Sequence, residues 1–356
     1  MARQAGRAAT HNDLSGRFDL PAREVDGDWL DHAHAADELP PLRTTVTIER
    51  PKTAITRNDS PDIPFDRSFN AYRGCEHGCI YCFARPSHAW HDLSPGLDFE
   101  TRLFAKPSGP ALLRTAFARR GYKPQVLAMG TNTDPYQPIE RDWRITRQVL
   151  ELCLETRHPV SITTKSDRVL RDLGLLADLA RNGLTMVMLS VTTLDPKLAR
   201  AMEPRAAAPH RRLQAIRRLA EAGVPTFVSV SPIIPALTDH ELESILAAAS
   251  QAGARGAFCQ PVRLPLEVAP LFEGWLKLHA PDRAARVLSA IRDMRGGKLN
   301  RSEWFERMRP QGEWGRLLRT RLRAGLRRYG LEAPAPLLRI DLFRPPRTDP
   351  DQGRLF

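Results

Sequence analysis

The chain has 356 residues, enough for one large domain with flanking segments or for two domains, and 42% of them are hydrophobic. No run of about 18 apolar residues occurs, which excludes a membrane-spanning helix, and the basic stretch Met1 to Thr10 is followed by no apolar core, so no secretory signal is expected. The formal charge is +12 and only 7 of the 53 basic residues are lysine; such an arginine excess suits phosphate and base recognition, and it equally follows from a GC-rich coding sequence.

In chain order, residues 1–40 are polar, mixed in charge and without periodicity, the pattern of a loosely packed segment. Thr45-Val46-Thr47-Ile48 reads as a short strand, followed by turn residues and prolines. From Ser68 to Pro265 short apolar runs alternate with amphipathic stretches of helical length. The strand candidates are Ser68–Tyr72, Gln125–Met129, Val160–Thr163, Met186–Val191, Thr226–Val230 and Ala257–Cys259. Helices are expected near 108–120, 142–157, 168–182, 209–222 and 239–252, several with a glycine stop at Gly121, Gly183, Gly223 or Gly253. Six strands alternating with helices imply parallel β/α units, which a doubly wound sheet and a partial barrel both satisfy. In such folds chemistry gathers at the C-terminal strand ends. Polar residues recur there: Thr131, Asn132 and Asp134, then Thr164, Lys165 and Ser166, then Thr192 and Thr193, Ser231, and Gln260. The expected organisation is an N-terminal segment over 1–66, a core over 67–265 and a basic helical extension with a proline-rich tail over 266–356.

The most specific signal is Arg73-Gly74-Cys75-Glu76-His77-Gly78-Cys79-Ile80-Tyr81-Cys82. Three of the five cysteines lie within eight residues, a poor disulfide framework and a good metal or cluster site in a reducing cytoplasm. Three thiolates spaced C-x3-C-x2-C hold three irons of a [4Fe–4S] cluster and leave the fourth iron open for a substrate or cofactor. Gly74 and Gly78 allow the loop to curl around it. The competing reading is a zinc site completed by His77, His88 or His91. Cys153 falls on the apolar face of a helix and reads as core. Cys259 ends a strand, where it either faces the site or packs.

On these residues the sequence resembles the radical S-adenosylmethionine (SAM) superfamily, whose fold is a partial (β/α)6 TIM-like barrel. Within it, Tyr72-Arg73-Gly74-Cys75, Thr133-Asp134-Pro135-Tyr136-Gln137-Pro138, Ile162-Thr163-Thr164-Lys165-Ser166 and Ser190-Val191-Thr192-Thr193-Leu194-Asp195 resemble the spore photoproduct lyase-related branch. Gly16-Arg17-Phe18 and the terminal Leu355-Phe356 are similar to a bacterial subfamily of that branch whose members mostly lack a defined reaction. The resemblance implies that Cys75, Cys79 and Cys82 ligate the cluster and that SAM chelates the open iron. One electron then cleaves the sulfonium bond, and the 5′-deoxyadenosyl radical takes hydrogen from a substrate. It also implies a reducing partner such as flavodoxin or ferredoxin. The usual Gly-Gly-Glu after the second strand is replaced here by Met129-Gly130-Thr131-Asn132-Thr133-Asp134. Arg205 is a candidate for the SAM carboxylate, and Glu203 for holding Arg205 or the ribose. Thr164 and Ser190 are candidate SAM-facing residues, and Val228 to Pro235 a candidate adenine wall. Cys259 and Tyr136 are candidates for returning a hydrogen atom.

Residues 291–330 hold 12 Lys and Arg against 4 Asp and Glu. Trp304, Phe305 and Trp314 are interleaved with them, and Trp275 precedes them. This is either a phosphate-binding surface with stacking positions or a solvated face whose tryptophans pack on the barrel. The last residues, Gln352, Leu355 and Phe356, resemble the peptide by which bacterial repair proteins dock on the DNA sliding clamp, with Gly353 in a position usually apolar. The expected function is a cytoplasmic radical SAM enzyme acting on nucleic acid, by DNA repair or RNA modification, or on another substrate. The alternatives are an iron–sulfur adaptor for nucleic acid or the clamp without SAM turnover, and a zinc-binding structural protein.

Overall fold

The structure, a computed structural model, describes residues 6–12 and 42–346. Its strands are β1 (Thr45–Ile48), β2 (Thr56–Arg57), β3 (Arg67–Phe69), β4 (Tyr72–Arg73), β5 (Arg102–Ala105), β6 (Leu127–Met129), β7 (Val160–Thr164), β8 (Thr185–Ser190), β9 (Thr226–Ile233) and β10 (Gly256–Pro261). The larger sheet has the order β10-β9-β8-β7-β6-β3-β2. From β3 through β6, β7, β8 and β9 to β10, each strand pairs in parallel with the next. Among the described residues no strand links β10 back to β3. The result is a partial (β/α)6 TIM-like barrel, open on one side. The smaller sheet, β1-β5-β4, flanks it.

The strand pattern explains this layering. In β7 the buried Val160, Ile162 and Thr164 alternate with the half-buried Ser161 and Thr163. Val160 and Ile162 join the main core with Leu150, Leu176 and Ile216 of the surrounding helices. The opposite face lines the barrel interior. The outer helices are Gly109–Ala118, Ile145–Thr156, Leu173–Arg181, Pro209–Glu221 and Leu242–Gln251. Gly121, Gly183, Gly223 and Gly253 follow four of them with φ of 77°, 67°, 79° and 92°, conformations open to glycine at little cost.

Three expectations on element bounds are corrected. The first strand ends at Phe69 rather than Tyr72, because Asn70 Oδ1 accepts from Asn132 N at 3.0 Å and Thr133 N at 3.3 Å, and Tyr72-Arg73 joins the smaller sheet. The helix expected from 142 begins at Ile145, because Arg144 takes a left-handed φ of 51°. The helix expected from 168 begins at Leu173, after a tighter 3-10 turn, Asp167–Asp172, capped by Ser166.

Segments outside the barrel are built into it. Residues 6–12 lie on the cysteine loop, with Ala8 and Ala9 fully buried. Helices Val268–His279 and Pro281–Asp293 form a second core with Cys79, Ile80, Tyr81, Met202, Ile234 and Leu264. Helix Gly312–Tyr329 packs on Leu242–Gln251, and Gly325 admits Leu246 where a Cβ would stand 2.6 Å from its Cδ1. Residues 331–346 then run across the N-terminal ends of the barrel strands. Glu332 bridges Gly256, Arg339 N donates to Gly183 O at 3.0 Å, and Arg344 N donates to Thr156 O at 2.8 Å. Gly16-Arg17-Phe18 and Gln352, Leu355 and Phe356 lie outside the described residues.

Candidate active site

The loop Gly74–Cys82 sits over the C-terminal ends of the barrel strands. Its backbone is tied at both ends. Cys75 N donates to Phe99 O at 2.9 Å, Ile80 N to Met202 O at 3.0 Å, and Cys82 N to Cys79 O at 3.1 Å. Gly74 and Gly78 have φ of 69° and 65°. A Cβ on Gly78 would come within 2.7 Å of Glu100 Oε2, so the curl needs glycine there for space as well as conformation.

Beneath the loop lies Arg85, wholly buried. Its Nε donates to Cys79 O and its Nη2 to Gly78 O, both at 2.9 Å, and its Nη1 donates to Pro95 O and Gly96 O at 2.9 Å. Nη2 also meets Glu100 Oε1 at 2.5 Å. Glu100 accepts from Ala8 N at 3.2 Å and Ala9 N at 3.1 Å, which fastens the N-terminal segment to the same pair.

Asp134, after β6, organises the neighbouring rim. Its Oδ1 accepts from Thr164 Oγ1 at 2.7 Å and Tyr136 N at 2.9 Å, its Oδ2 accepts from Lys165 N at 2.7 Å, and His77 Nδ1 lies 3.3 Å from Oδ2. Burial pushes this carboxyl up, but His77 and these hydrogen bonds more than offset it and hold it at about 2. Gln137 joins loop and rim, accepting from Glu76 N at 2.9 Å and donating to Gly74 O at 3.2 Å.

The candidate SAM contacts divide. Thr164 does not present a free hydroxyl: it donates to Asp134 and accepts from Ser166 N at 3.0 Å, so it shapes the turn. Glu203 does not hold Arg205. Its carboxylate takes Arg212 and Tyr81 Oη, and Thr192 Oγ1 at 2.9 Å, in a fully buried network. Arg205 instead pairs with Glu76 at 3.0 Å, partly exposed. Arg212 also donates to Ser190 O at 3.0 Å, which brings Ser190 beside this network. Of the proposed adenine wall, Val228, Val230, Ile233 and Ile234 are buried in the two cores. Ser231 and Pro232 remain half-buried, and the Ser231 hydroxyl is enclosed with no hydrogen-bond partner. Lys165 is a cation beside the cysteines: its ammonium lies 5.8 Å from the Tyr81 ring centroid and, with Arg212, it eases ionisation of Cys79 against the larger effect of burial.

Tyr136 is turned inward, its hydroxyl donating to Asp172 Oδ2 at 3.1 Å, so it does not face the site. Cys259 packs on the main core, and Cys153 lies wholly within it. In the extension, Trp275 is buried and donates to Ala201 O at 3.0 Å, and Trp314 donates to Asp239 Oδ2 at 2.9 Å. Trp304 and Phe305 are exposed.

Arg85 and Arg212 were absent from the sequence candidates. Arg212 had a signal: with Ala215, Ile216 and Leu219 it occupies the buried stripe of its helix, where an arginine requires a partner. Arg85 had none beyond its nearness to Cys82.

The donor set fits a cluster. All three cysteines are free thiols. Burial, then Asp134 and Cys79, push the Cys75 thiol far up, and burial with Glu203 raises Cys79. Sulfurs so placed need the positive charge that iron brings. Among the described residues no group of His, Cys, Asp and Glu closes on a single metal ion. His77 faces Asp134, and His88 Nε2 donates to Arg102 O at 2.8 Å, so neither completes a zinc site.

Residues 69–249, half of the chain, match the radical SAM superfamily, and the chain belongs to that superfamily. Its members use a [4Fe–4S] cluster and SAM. The chain is 35% identical to an uncharacterised protein of Mycobacterium tuberculosis over 232 residues, 65% of this chain and 68% of that protein. An uncharacterised protein of Methanocaldococcus jannaschii is 31% identical over 172 residues, 48% of this chain and 62% of that one. In fold the chain is similar to a point mutant of spore photoproduct lyase, with TM-score 0.57 and 15% identity over 90% of this chain and 86% of that one. The lyase complexed with dinucleoside spore photoproduct matches with TM-score 0.52 and 16% identity, over 80% of this chain and 78% of that one. Among the described residues no helix is long and apolar enough to cross a membrane.

Proposed function

We propose that the chain is a radical SAM enzyme in which Cys75, Cys79 and Cys82 hold the cluster, and that its substrate is a nucleic acid. The carrying observation is the thiol set: three free cysteines on one curled loop over the C-terminal strand ends, with no His, Cys, Asp and Glu group among the described residues that closes on a single metal ion. Held there by Cys75, Cys79 and Cys82, a reduced cluster would supply the one-electron chemistry by which the superfamily turns SAM into a hydrogen-abstracting agent. The protein's own part is placement. Lys165 offers an ammonium to the SAM carboxylate, and Ser231 offers an unused hydroxyl at the end of β9. The Glu203–Arg212 pair takes Tyr81 of the cluster loop and so ties the loop to the barrel, with Ser190 steadied beside it. Arg205, paired with Glu76, borders the opening. The second core over the loop keeps water from one side of the cluster. The nucleic-acid reading is supported by the arginine excess and by the likeness of fold to an enzyme solved with a dinucleoside.

The test is anaerobic reconstitution with iron and sulfide, then reduction in the presence of SAM and assay of 5′-deoxyadenosine. Product is expected, and Cys75→Ala, Cys79→Ala or Cys82→Ala should each abolish it. A coloured cluster protein that forms none would overturn the enzyme reading and point to an adaptor.

A further inference from the structure

Phe83 directly follows the last of the three cysteines and is half exposed. The guanidinium of Arg263 lies over its ring, 5.3 Å from the centroid. Arg263 comes two residues after β10, between the buried Val262 and Leu264. Val262 N donates to Ile233 O at 3.0 Å, and Val262 O accepts from the buried Arg295 Nη2 at 3.0 Å. Arg295 Nη1 donates to Arg307 O at 2.8 Å. One buried arginine thus rivets the end of the sixth barrel strand to residues 301–310, and Arg263 is held beside the cluster loop by a rigid backbone.

Charge is unbalanced at this place. The carboxylates here are already taken: Asp62 by Arg307, with Nε 2.8 Å from Oδ2 and Nη2 2.5 Å from Oδ1, Phe305 N donating to Oδ2 at 3.1 Å, and Glu306 by Arg301. Among the described residues Arg263 has no ion pair; its contact is with Phe83. Burial and then Arg307 make its proton easier to lose, with Asp62 acting the other way. Arg295 is lowered to about 10 by burial and by Arg263 and Arg301. Cations that repel one another while half sunk in protein are stabilised by an incoming anion. A guanidinium stacked on a half-exposed aromatic ring offers its N–H fork to phosphate and leaves part of the ring for a base.

We propose that Arg263 and Phe83 form the site for a phosphate-bearing substrate group at the barrel mouth, the guanidinium taking the phosphate and the open part of the ring taking the attached base. The inference rests on the reading of the cysteine loop as the cluster site. The phosphate has two possible sources, a nucleic-acid strand or a free nucleotide, and competition separates them.

The test uses the reconstituted holoprotein and the fluorescence anisotropy of a labelled oligodeoxythymidine, competed with thymidine monophosphate and inorganic phosphate. Arg263→Gln should weaken binding by about tenfold, as loss of one phosphate-binding fork does. Phe83→Ala, which keeps the charge, should weaken it as well. Arg218→Gln removes the same charge from the outer helix Pro209–Glu221 and should change binding by less than about twofold. Iron content reports whether the loop is intact; should Arg263→Gln lose iron, Arg263→Lys, which keeps the charge and removes the fork, should still weaken binding, with Arg218→Lys as its control. Competition by the oligonucleotide alone assigns a strand, and competition by thymidine monophosphate at equal phosphate assigns a free nucleotide. Equal losses in Arg263→Gln and Arg218→Gln, or no binding by the unsubstituted protein, would overturn the site even if SAM is cleaved. Inorganic phosphate competing as well as the nucleotide would remove the role of Phe83. Failure to hold iron or cleave SAM would instead defeat the underlying reading.

Discussion

At the scale of single residues, the barrel keeps charge inside only where geometry answers it. Asp134 is largely enclosed, yet His77 and hydrogen bonds keep it ionised down to about pH 2. His158 shows the opposite solution. It stacks on Phe117 at 4.2 Å, accepts from Tyr122 Oη at 2.9 Å and donates from Nδ1 to Pro159 O at 3.0 Å, with no carboxylate partner among the described residues. Burial lowers it to about 4. The folded state therefore binds its proton less readily than the unfolded chain, whose histidine titrates near 6.5. His158 costs nothing above that pH, and stability falls as pH drops from about 6.5 to 4, by about 3 kcal/mol at the end of the window. Melting temperature against pH should show this slope, and His158→Phe, which keeps the stack, should flatten that part of the profile. A slope unchanged in the variant would mean that His158 is charged in the fold.

At the scale of elements, the cysteine loop is held by the Arg85–Glu100 pair in addition to its own backbone hydrogen bonds, Gly78 N to Cys75 O and Cys82 N to Cys79 O, both at 3.1 Å. Arg85 reaches four carbonyls and one carboxylate without exposure to water. Arg85→Ala leaves Glu100 as an uncompensated buried charge, a loss of about 3–5 kcal/mol. The expected result is a lower denaturation midpoint together with faster loss of iron on dilution into chelator. Unaltered iron retention would show that the loop keeps its curl without the arginine. The turn after β6 has a comparable requirement. Gly130 has φ of 87°, and a Cβ there would lie 2.0 Å from Thr163 O, so this rim accepts no side chain.

At the scale of the whole molecule, the open barrel is braced on both ends. The N-terminal residues 6–12 and the second core cover the cysteine side. The segment 331–346 straps the far side, where Phe343 meets Phe117 at 6.0 Å, Tyr122 at 5.4 Å and His158 at 5.6 Å. An open sheet lacks the mutual support of a closed one, and a strap tying the starts of β10, β8 and β7 supplies part of it. Phe343→Ala should cost about 2 kcal/mol, less than a fully buried phenylalanine because this one is partly exposed. Thermal unfolding checks the value, and no change in midpoint would show the strap to be ornamental. The far side is also opposite the cysteine loop, so loss of this strap should lower stability more than it disturbs the site.

The order of β/α units, the glycine stops and the three cysteines were determined by local sequence, because each depends on spacing and conformation within a few residues. The alternation of Val160 with Ser161 marks a strand wherever it occurs, and Gly121 or Gly253 ends a helix by its own backbone freedom. Only the tertiary structure decided which charged groups meet. Glu203 stands two residues from Arg205 in sequence, yet its partner is Arg212, because the end of helix Pro196–Met202 turns the carboxylate inward toward the next helix. Tyr136 looked like a site residue beside Asp134 and proved to face Asp172. Arg263 and Phe83 are 180 positions apart and meet only because the sixth strand ends beside the loop that precedes the first helix. Pairing across such distances follows from the curvature of the open sheet, which brings the strand ends together, and not from any local pattern.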